Sequence, residues 1–423
     1  MKILIDNPTL VYSPPVNEDT QKWGVYAIPK MWRNHTGELV IRFNGEQDTS
    51  MTQQIVPNLY FVSHDDGETW EQLENGESLY NTEYFSGINP CFTKLKNGDI
   101  IGVRCPENLP PVPEHIPHSG EVLSTDKNKK EYIFRYGDIP EECKDISLFR
   151  KHGEVITHSK MTLDFPERLL DIPCEGLDET ESFFLPMERK LMTNIFFTPF
   201  LSAITELQDG TLAAVCHGQH PEITDRHCED AYLLISEDGG ITWKKRSTIA
   251  SDKNRPQGCV GDGGEISLTQ SANGNLICAM RAAGVEGSRV LENLLCVSTD
   301  NGYTWTEPVC IADSHVTPHV IALKDGIVLL IYGRPGVHFK ISEDNGITWS
   351  SSYPIIGKPL SEELASGKEY RDFMYHDSVS YSNTFIEKLS DDTVLVLYNN
   401  QKYDDGDGKH HKAAFVRKIT VTK

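Results

Sequence analysis

The octapeptide SEDGGITW (236–243) recurs as SHDDGETW (63–70), STDNGYTW (298–305) and SEDNGITW (342–349), and all four read S-x-D-x-G-x-T-W. Five fixed positions in eight, met four times, are a built pattern rather than coincidence. Each copy follows an apolar run that suits a strand: NLYFV, AYLLI, NLLCV and GVHFKI. A strand, then Asp and Gly, then Thr-Trp, is a hairpin that carries its own turn chemistry. The carboxylate accepts backbone N–H groups across the turn, and the glycine takes positive φ without steric cost. The tryptophan covers the apolar side of the hairpin.

A second repeat surrounds the first. Short β-runs flank a Gly or Asp turn in VYAIPKMWRNHTGELVIRF, NPCFTKLKNGDIIGVR, FLSAITELQDGTLAAVC, EISLTQSANGNLICAM, HVIALKDGIVLLIYG and NTFIEKLSDDTVLVLY. Four of these six hairpins precede a boxed hairpin, which makes a four-stranded unit, and six units of about 60–70 residues fill the 423-residue chain. Four-stranded antiparallel units repeated radially make a β-propeller, which protects most sheet edges. The expectation is therefore an all-β, six-bladed β-propeller forming one domain over residues 1–423. The opening strand KILIDNPTLVY completes the last blade beside KAAFVRKITV and closes the ring. The second unit departs from the pattern. From about 105 to 190 the chain lacks a box and is rich in Pro, Glu and His. Its strand candidates EYIFRYG and GEVITHSKMTL predict a second blade with a long insertion that overhangs a central pocket.

Composition narrows the function. Lys and Arg total 40 against 62 Asp and Glu, a formal charge of −22. Such a chain repels phosphate backbones and anionic membrane surfaces unless a basic face is segregated, and no Lys/Arg cluster is present. Neither nucleic acid nor membrane is an expected partner, and no sequence pattern specifies an oligomer. The N-terminus lacks a basic-then-apolar leader, so a cytoplasmic location is expected. The ten cysteines are scattered, many of them in apolar runs such as NLICAM and NLLCVS, and read as reduced buried thiols. CHGQHPEITDRHC (216–228) does not have zinc-ligand spacing. GCVGDGGE (258–265) follows no βα unit and is a poor nucleotide loop. KYDDGDGKHH (402–411) reads as a solvated hairpin loop. No metal or other cofactor is expected.

The S-x-D-x-G-x-T-W boxes resemble the Asp boxes of the sialidase (neuraminidase) superfamily, and the resemblance runs over nearly the whole chain. It implies a propeller with its boxes on the outer rim and a glycoside hydrolase acting on carbohydrate. Sialidases present three arginines to the substrate carboxylate, a Tyr nucleophile assisted by a Glu, and an Asp acid/base. By this resemblance Glu265, in GGEISLTQ, is the Glu, and Arg281, sixteen residues on, is the second arginine. Arg334, in YGRPGVHFKI, is the third; Tyr381, in SVSYSNTF, is the nucleophile; Asp48, in RFNGEQDTS, is the acid/base. The family's first arginine sits in Tyr/Phe-Arg-Ile-Pro, where this chain has Tyr26-Ala27-Ile28-Pro29. Alanine binds no carboxylate. Arg33, Arg42 and Arg104 are candidates for the vacated space, and Arg42 and His217 are added to the expected substrate-binding residues.

These residue types suit one chemistry. A 2-keto acid sugar carries a carboxylate beside the reacting carbon, which repels an Asp or Glu nucleophile but not a neutral Tyr. Two arginines offer forked bonds to that carboxylate. An arginine ending a strand equally well pairs with a neighbouring acid, and Tyr381 equally well packs as an ordinary aromatic. Two rival functions follow. His217, His220, His319 or His376 beside Tyr381 would abstract a proton from a uronate, as in a polysaccharide lyase. The missing arginine at Ala27 suits a glycan-binding propeller without catalysis.

Overall fold

The structure is a computed structural model. It describes residues 1–27, 29–47, 55–76, 92–104, 120–123, 130–144, 146–175, 204–223, 228–251, 253, 258–260, 265–284, 291–312, 316–358, 362, 379–380 and 384–423. Among these residues the strands form six sheets. The chain falls into two compact units: Met1–Thr82 with Thr269–Ala279 and Cys310–Lys423, and Glu83–Leu268 with Met280–Val309.

Three sheets lie wholly in the first unit. Lys30–Arg33, Leu39–Phe43, Leu59–Ser63 and Glu71–Leu73 pair in chain order, as do Val316–Ala322, Val328–Gly333, Val337–Ser342 and Tyr353–Ile356. In the third, Phe385–Lys388, Thr393–Tyr403 and His411–Thr422 are joined by Lys2–Ile5 in the register Lys2↔Thr422 to Ile5↔Ile419. The pairing of the first strand with the last, read from KILI and KITV, is thus present. Val328–Gly333 is buried at every position. A strand covered on both faces needs continuous apolar sequence, which VLLIYG supplies.

The second unit holds a four-stranded sheet (Phe92–Lys94, Ile100–Arg104, Ser147–His152, Val155–Lys160) and an eight-stranded one. The sixth sheet, built on Leu276–Gly284 and Leu291–Ser298, has its residues divided between the units. The expected six four-stranded blades need correction. Five sheets, not six, have the four or five strands of a blade. The reason lies in the insertion. EYIFRYG, expected in the second blade, instead forms Lys130–Arg135 and pairs with Leu169–Glu175, which joins Leu212–Gln219 at Leu169↔Gln219. Thr162–Asp164 adds to the far edge, parallel to Thr242–Ser251. The second blade takes Ser147–His152 in place of EYIFRYG. Its core cluster contains Phe134, Phe165, Leu170 and Trp243, so insertion and boxed hairpin share one apolar interior.

The four boxes repeat one hydrogen-bond pattern. In the first, Thr69 N donates to Asp65 Oδ1 at 2.9 Å and Thr69 Oγ1 donates to Oδ2 at 2.6 Å. Ser63 Oγ donates to Asp65 Oδ1 and accepts from Gly67 N, both at 2.8 Å. Positive φ falls at Asp66 (54°) and Gly67 (85°), as the turn requires. Each box also reaches the sheet before it. Asn301 O accepts from Arg246 Nη1 at 2.9 Å and Gly302 O from Ser247 Oγ at 2.6 Å. Asn345 O accepts from Asn275 Nδ2 at 3.3 Å, and Gly240 packs on Leu148. Gly67 packs on Leu395 of the C-terminal sheet. The boxes therefore tie neighbouring sheets together as well as closing their own hairpins.

This has a consequence in acid. Thr69 and Thr304, through side-chain and backbone bonds, hold the Asp65 and Asp300 carboxyls at about 2, below the ordinary 3.8. A carboxyl lowered by folding stabilises above its unfolded value, and that stabilisation is lost as pH falls through the folded one. Thermal midpoints measured by circular dichroism should fall most steeply between about pH 4 and pH 2. Asp65→Asn should flatten that slope; an unchanged slope would show that the boxes do not set acid stability.

Candidate functional site

Glu265 immediately precedes Ile266–Gln270, and Arg281 lies near the end of the adjacent strand Leu276–Gly284. Hairpin geometry brings them together: Arg281 N donates to Glu265 O at 3.0 Å, and Arg281 Nη1 donates to Glu265 Oε1 at 3.0 Å. The side chains are 11% and 19% exposed, so the pair is largely withdrawn from water. A charge-assisted bond of this kind is worth about 1.5–3 kcal/mol before desolvation is counted, and desolvation offsets much of that. The pair does more to fix direction than to add stability. Arg281 thus pairs with a neighbouring acid, Glu265. Tyr381 and Asp48 lie outside the described residues, as does His376.

In the first unit Arg334 follows Val328–Gly333 and is 7% exposed, its guanidinium carbon 5.9 Å from the centre of the Trp23 ring. That distance suits a cation–π contact. The segment carrying Trp23 is held from below. Lys412 Nζ donates to Lys22 O at 2.7 Å and to Val25 O at 3.0 Å. Asn399 Nδ2 donates to Ala27 O, and Ser380 Oγ donates to Asn399 Oδ1 at 2.9 Å. Ala27 is fully buried, and burial lowers the Lys412 ammonium to about 8. One network thus joins the alanine that stands for the first arginine, the neighbourhood of Arg334, and Ser380, the residue before Tyr381.

The three substitutes for that arginine fare differently. Arg33 is engaged at the box end of its sheet, 2.8 Å from Asp66 and 3.6 Å from Glu387, so it is removed from the candidates. Arg42, opposite Lys30 and Tyr60, has a buried Nε with no hydrogen bond. The Arg104 side chain lies outside the described residues.

His217 lies two residues before the end of Leu212–Gln219, with its Nδ1 3.0 Å from Glu229 Oε1. A carboxylate on one ring nitrogen fixes the tautomer and the orientation of the ring. Arg168, 1% exposed, donates to His217 O through Nε at 2.9 Å and also through Nη2. Beside them Asp230 accepts from Tyr232 OH at 3.2 Å, and burial raises its carboxyl. His319 is buried, its Nε2 2.7 Å from Thr384 O, and burial lowers it to about 4. It is a packed histidine, not a proton shuttle. Sequence reading missed Arg168, Glu229, Asp230, Asn399 and Lys412. Only Glu229 and Asp230 carry a signal, as two acids opening the apolar strand EDAYLLIS.

Four boxed hairpins on β-sheets mark a sialidase-like Asp-box protein. Residues 175–399, more than half of the chain, match the model of the BNR repeat-like domain, and the chain belongs to that family. Over 138 residues it is 28% identical to a sialidase of Clostridium perfringens, 30% of this chain and 36% of the relative. The chain thus spans about a third of that curated relative's length. A protein of unknown function from Dyadobacter fermentans superposes with a TM-score of 0.57 at 18% identity, covering 99% of both chains, which supports the fold. A point mutant of the NanB sialidase of Streptococcus pneumoniae gives a TM-score of 0.45 at 14% identity, over 98% of this chain and 70% of that one.

Proposed function

We propose that this protein is a sialidase-like glycoside hydrolase that removes an acidic or modified sugar from a glycan with retention of configuration. The observation that carries this reading is the buried Glu265–Arg281 pair on adjacent strands. In the proposed reaction the Tyr381 oxygen attacks the anomeric carbon while its proton passes to the Glu265 carboxylate. Asp48 protonates the departing glycosidic oxygen. Water, deprotonated by Asp48, then cleaves the glycosyl–tyrosine bond, and Glu265 returns the proton to the phenol. Arg281 and Arg334 hold the acidic group, with Arg42 and His217 as further contacts. With Ala27 at the first arginine position, one clamp fewer is available, which favours a modified acidic sugar over sialic acid itself.

A panel of aryl glycosides with sialyl and uronyl members tests the class. Release of the aryl group with a retained anomer supports hydrolysis, and no release across the panel counts against it. Arg281→Lys keeps the charge but loses the fork, so KM for the anionic substrate should rise about tenfold, the equivalent of about 1.4 kcal/mol. KM for a neutral aryl glycoside should stay unchanged.

One observation favours a second reading. The His217–Glu229 pair leaves an oriented imidazole suited to proton abstraction from a uronate, with Tyr381 as acid. An unsaturated product detected by ultraviolet absorbance, abolished in His217→Asn, distinguishes this lyase from the hydrolase.

A further inference from the structure

The loop of residues 404–410 joins Thr393–Tyr403 to His411–Thr422. Its sequence, DDGDGKH, explains why it turns in water, but not why the next residue, His411, is turned inward. His411 is 8% exposed, and its Nε2 is buried without a hydrogen bond. The nitrogen lies 3.0 Å from Asp407 Oδ1 and 3.4 Å from Asp405 Oδ1. It faces both carboxylates at ion-pair distance.

The three atoms lie within 4.8 Å of one another. Ligands about 2.0–2.2 Å from a common zinc ion stand at most about 4.4 Å apart, so a small closure of an exposed loop suffices. Asp405 Oδ1 and Asp407 Oδ1 are already steered by the backbone, the first accepting from Asp407 N at 3.2 Å and the second from Lys409 N at 2.8 Å. Two carboxylates and an imidazole form a mixed oxygen and nitrogen set. Calcium and magnesium prefer oxygen alone, whereas first-row transition ions accept imidazole readily.

We propose that Asp405, Asp407 and His411 form a binding site for one divalent transition-metal ion of the zinc type, with solvent in the remaining positions. The ion satisfies the His411 nitrogen and locks the loop onto the strand it leads into. The following residue is Lys412, whose ammonium holds the carbonyls of Lys22 and Val25. The site therefore stiffens the support beneath the Trp23 segment and supplies no catalytic group.

The test uses the full chain, treated with EDTA, desalted and titrated with zinc chloride in a calorimeter, with cobalt(II) absorption as a second readout. One equivalent is expected, with affinity reduced at least tenfold in His411→Ala and in the Asp405→Asn/Asp407→Asn double variant. Should His411→Ala fail to fold by circular dichroism, the double variant decides alone, since its carboxylates are exposed. No zinc uptake by the unaltered protein overturns the proposal. So does uptake that the double variant leaves unchanged, because other histidines then hold the metal. Calcium competing at equal concentration overturns the assignment to a transition ion.

Discussion

Tyr381→Phe is expected to lower kcat on a confirmed aryl glycoside at least about a thousandfold with little change in KM, because the substitution removes only the attacking oxygen. Glu265→Gln should lower kcat by about 10²- to 10⁴-fold, the range for a lost general base. It should also lower KM for an anionic substrate, since the amide no longer neutralises the Arg281 guanidinium 3.0 Å away. The hydrolase and lyase readings diverge on Glu265→Gln. In a lyase Tyr381→Phe also suppresses turnover, but Glu265→Gln is nearly silent and His217→Asn is severe. Full turnover by Tyr381→Phe would remove the nucleophile from the proposal altogether. Steady-state kinetics at pH 7 on the four proteins, with the anomer of the product followed by NMR, separates these outcomes.

What the sequence makes legible follows the range of the interactions involved. The boxes are readable because Ser63, Asp65, Gly67 and Thr69 bond within four positions of one another. Glu265 and Arg281 are readable through resemblance, and their contact follows from a hairpin sixteen residues long. The support of the Trp23 segment gives no such signal. Lys412 meets Val25 across 387 positions and Asn399 meets Ala27 across 372. No local pattern marks either partner. The insertion misleads for the same reason: EYIFRYG has the right composition for a strand, but its partner Leu169–Glu175 is chosen by packing around Phe165 and Leu170. Ser147–His152 carries no such signal in sequence, because Arg150 and Lys151 break its apolar character. Arg150 in fact points to the box turn, donating to Gly239 O at 2.6 Å and to Asp99 Oδ2 at 2.7 Å. A charged residue in a strand here marks a tie between sheets.

Gly336→Ala is expected to be strongly destabilising. Gly336 has φ +63°, and a Cβ there would stand 2.4 Å from Ile356 O and 3.1 Å from Gly357 Cα. Gly357 is at φ +82° on the facing chain, where its own Cβ would meet Gly336 Cα at 2.9 Å and Val379 Cγ1 at 2.8 Å. The contacts with Ile356 O, Gly357 Cα and Gly336 Cα are not relieved by a rotamer change, because backbone meets backbone. Left-handed strain costs about 1–2 kcal/mol and overpacking about 1–3 more, so a loss of about 2–5 kcal/mol is expected. Gly37→Ala supplies the control: φ is +94°, yet nothing lies within 4 Å of its Cβ, so only the strain remains. The difference between the two midpoints of thermal unfolding isolates the contact. It also bears on the site, because Gly336 lies two residues from Arg334, and relief of the clash must displace the turn that sets that guanidinium over Trp23. Gly336→Ala should therefore weaken binding of an anionic substrate well below the unfolding temperature, while Gly37→Ala leaves binding intact. Equal losses of stability in the two variants would show that the glycines at 336 and 357 are required for their backbone angles alone, and that the close approach of the two chains does not position Arg334.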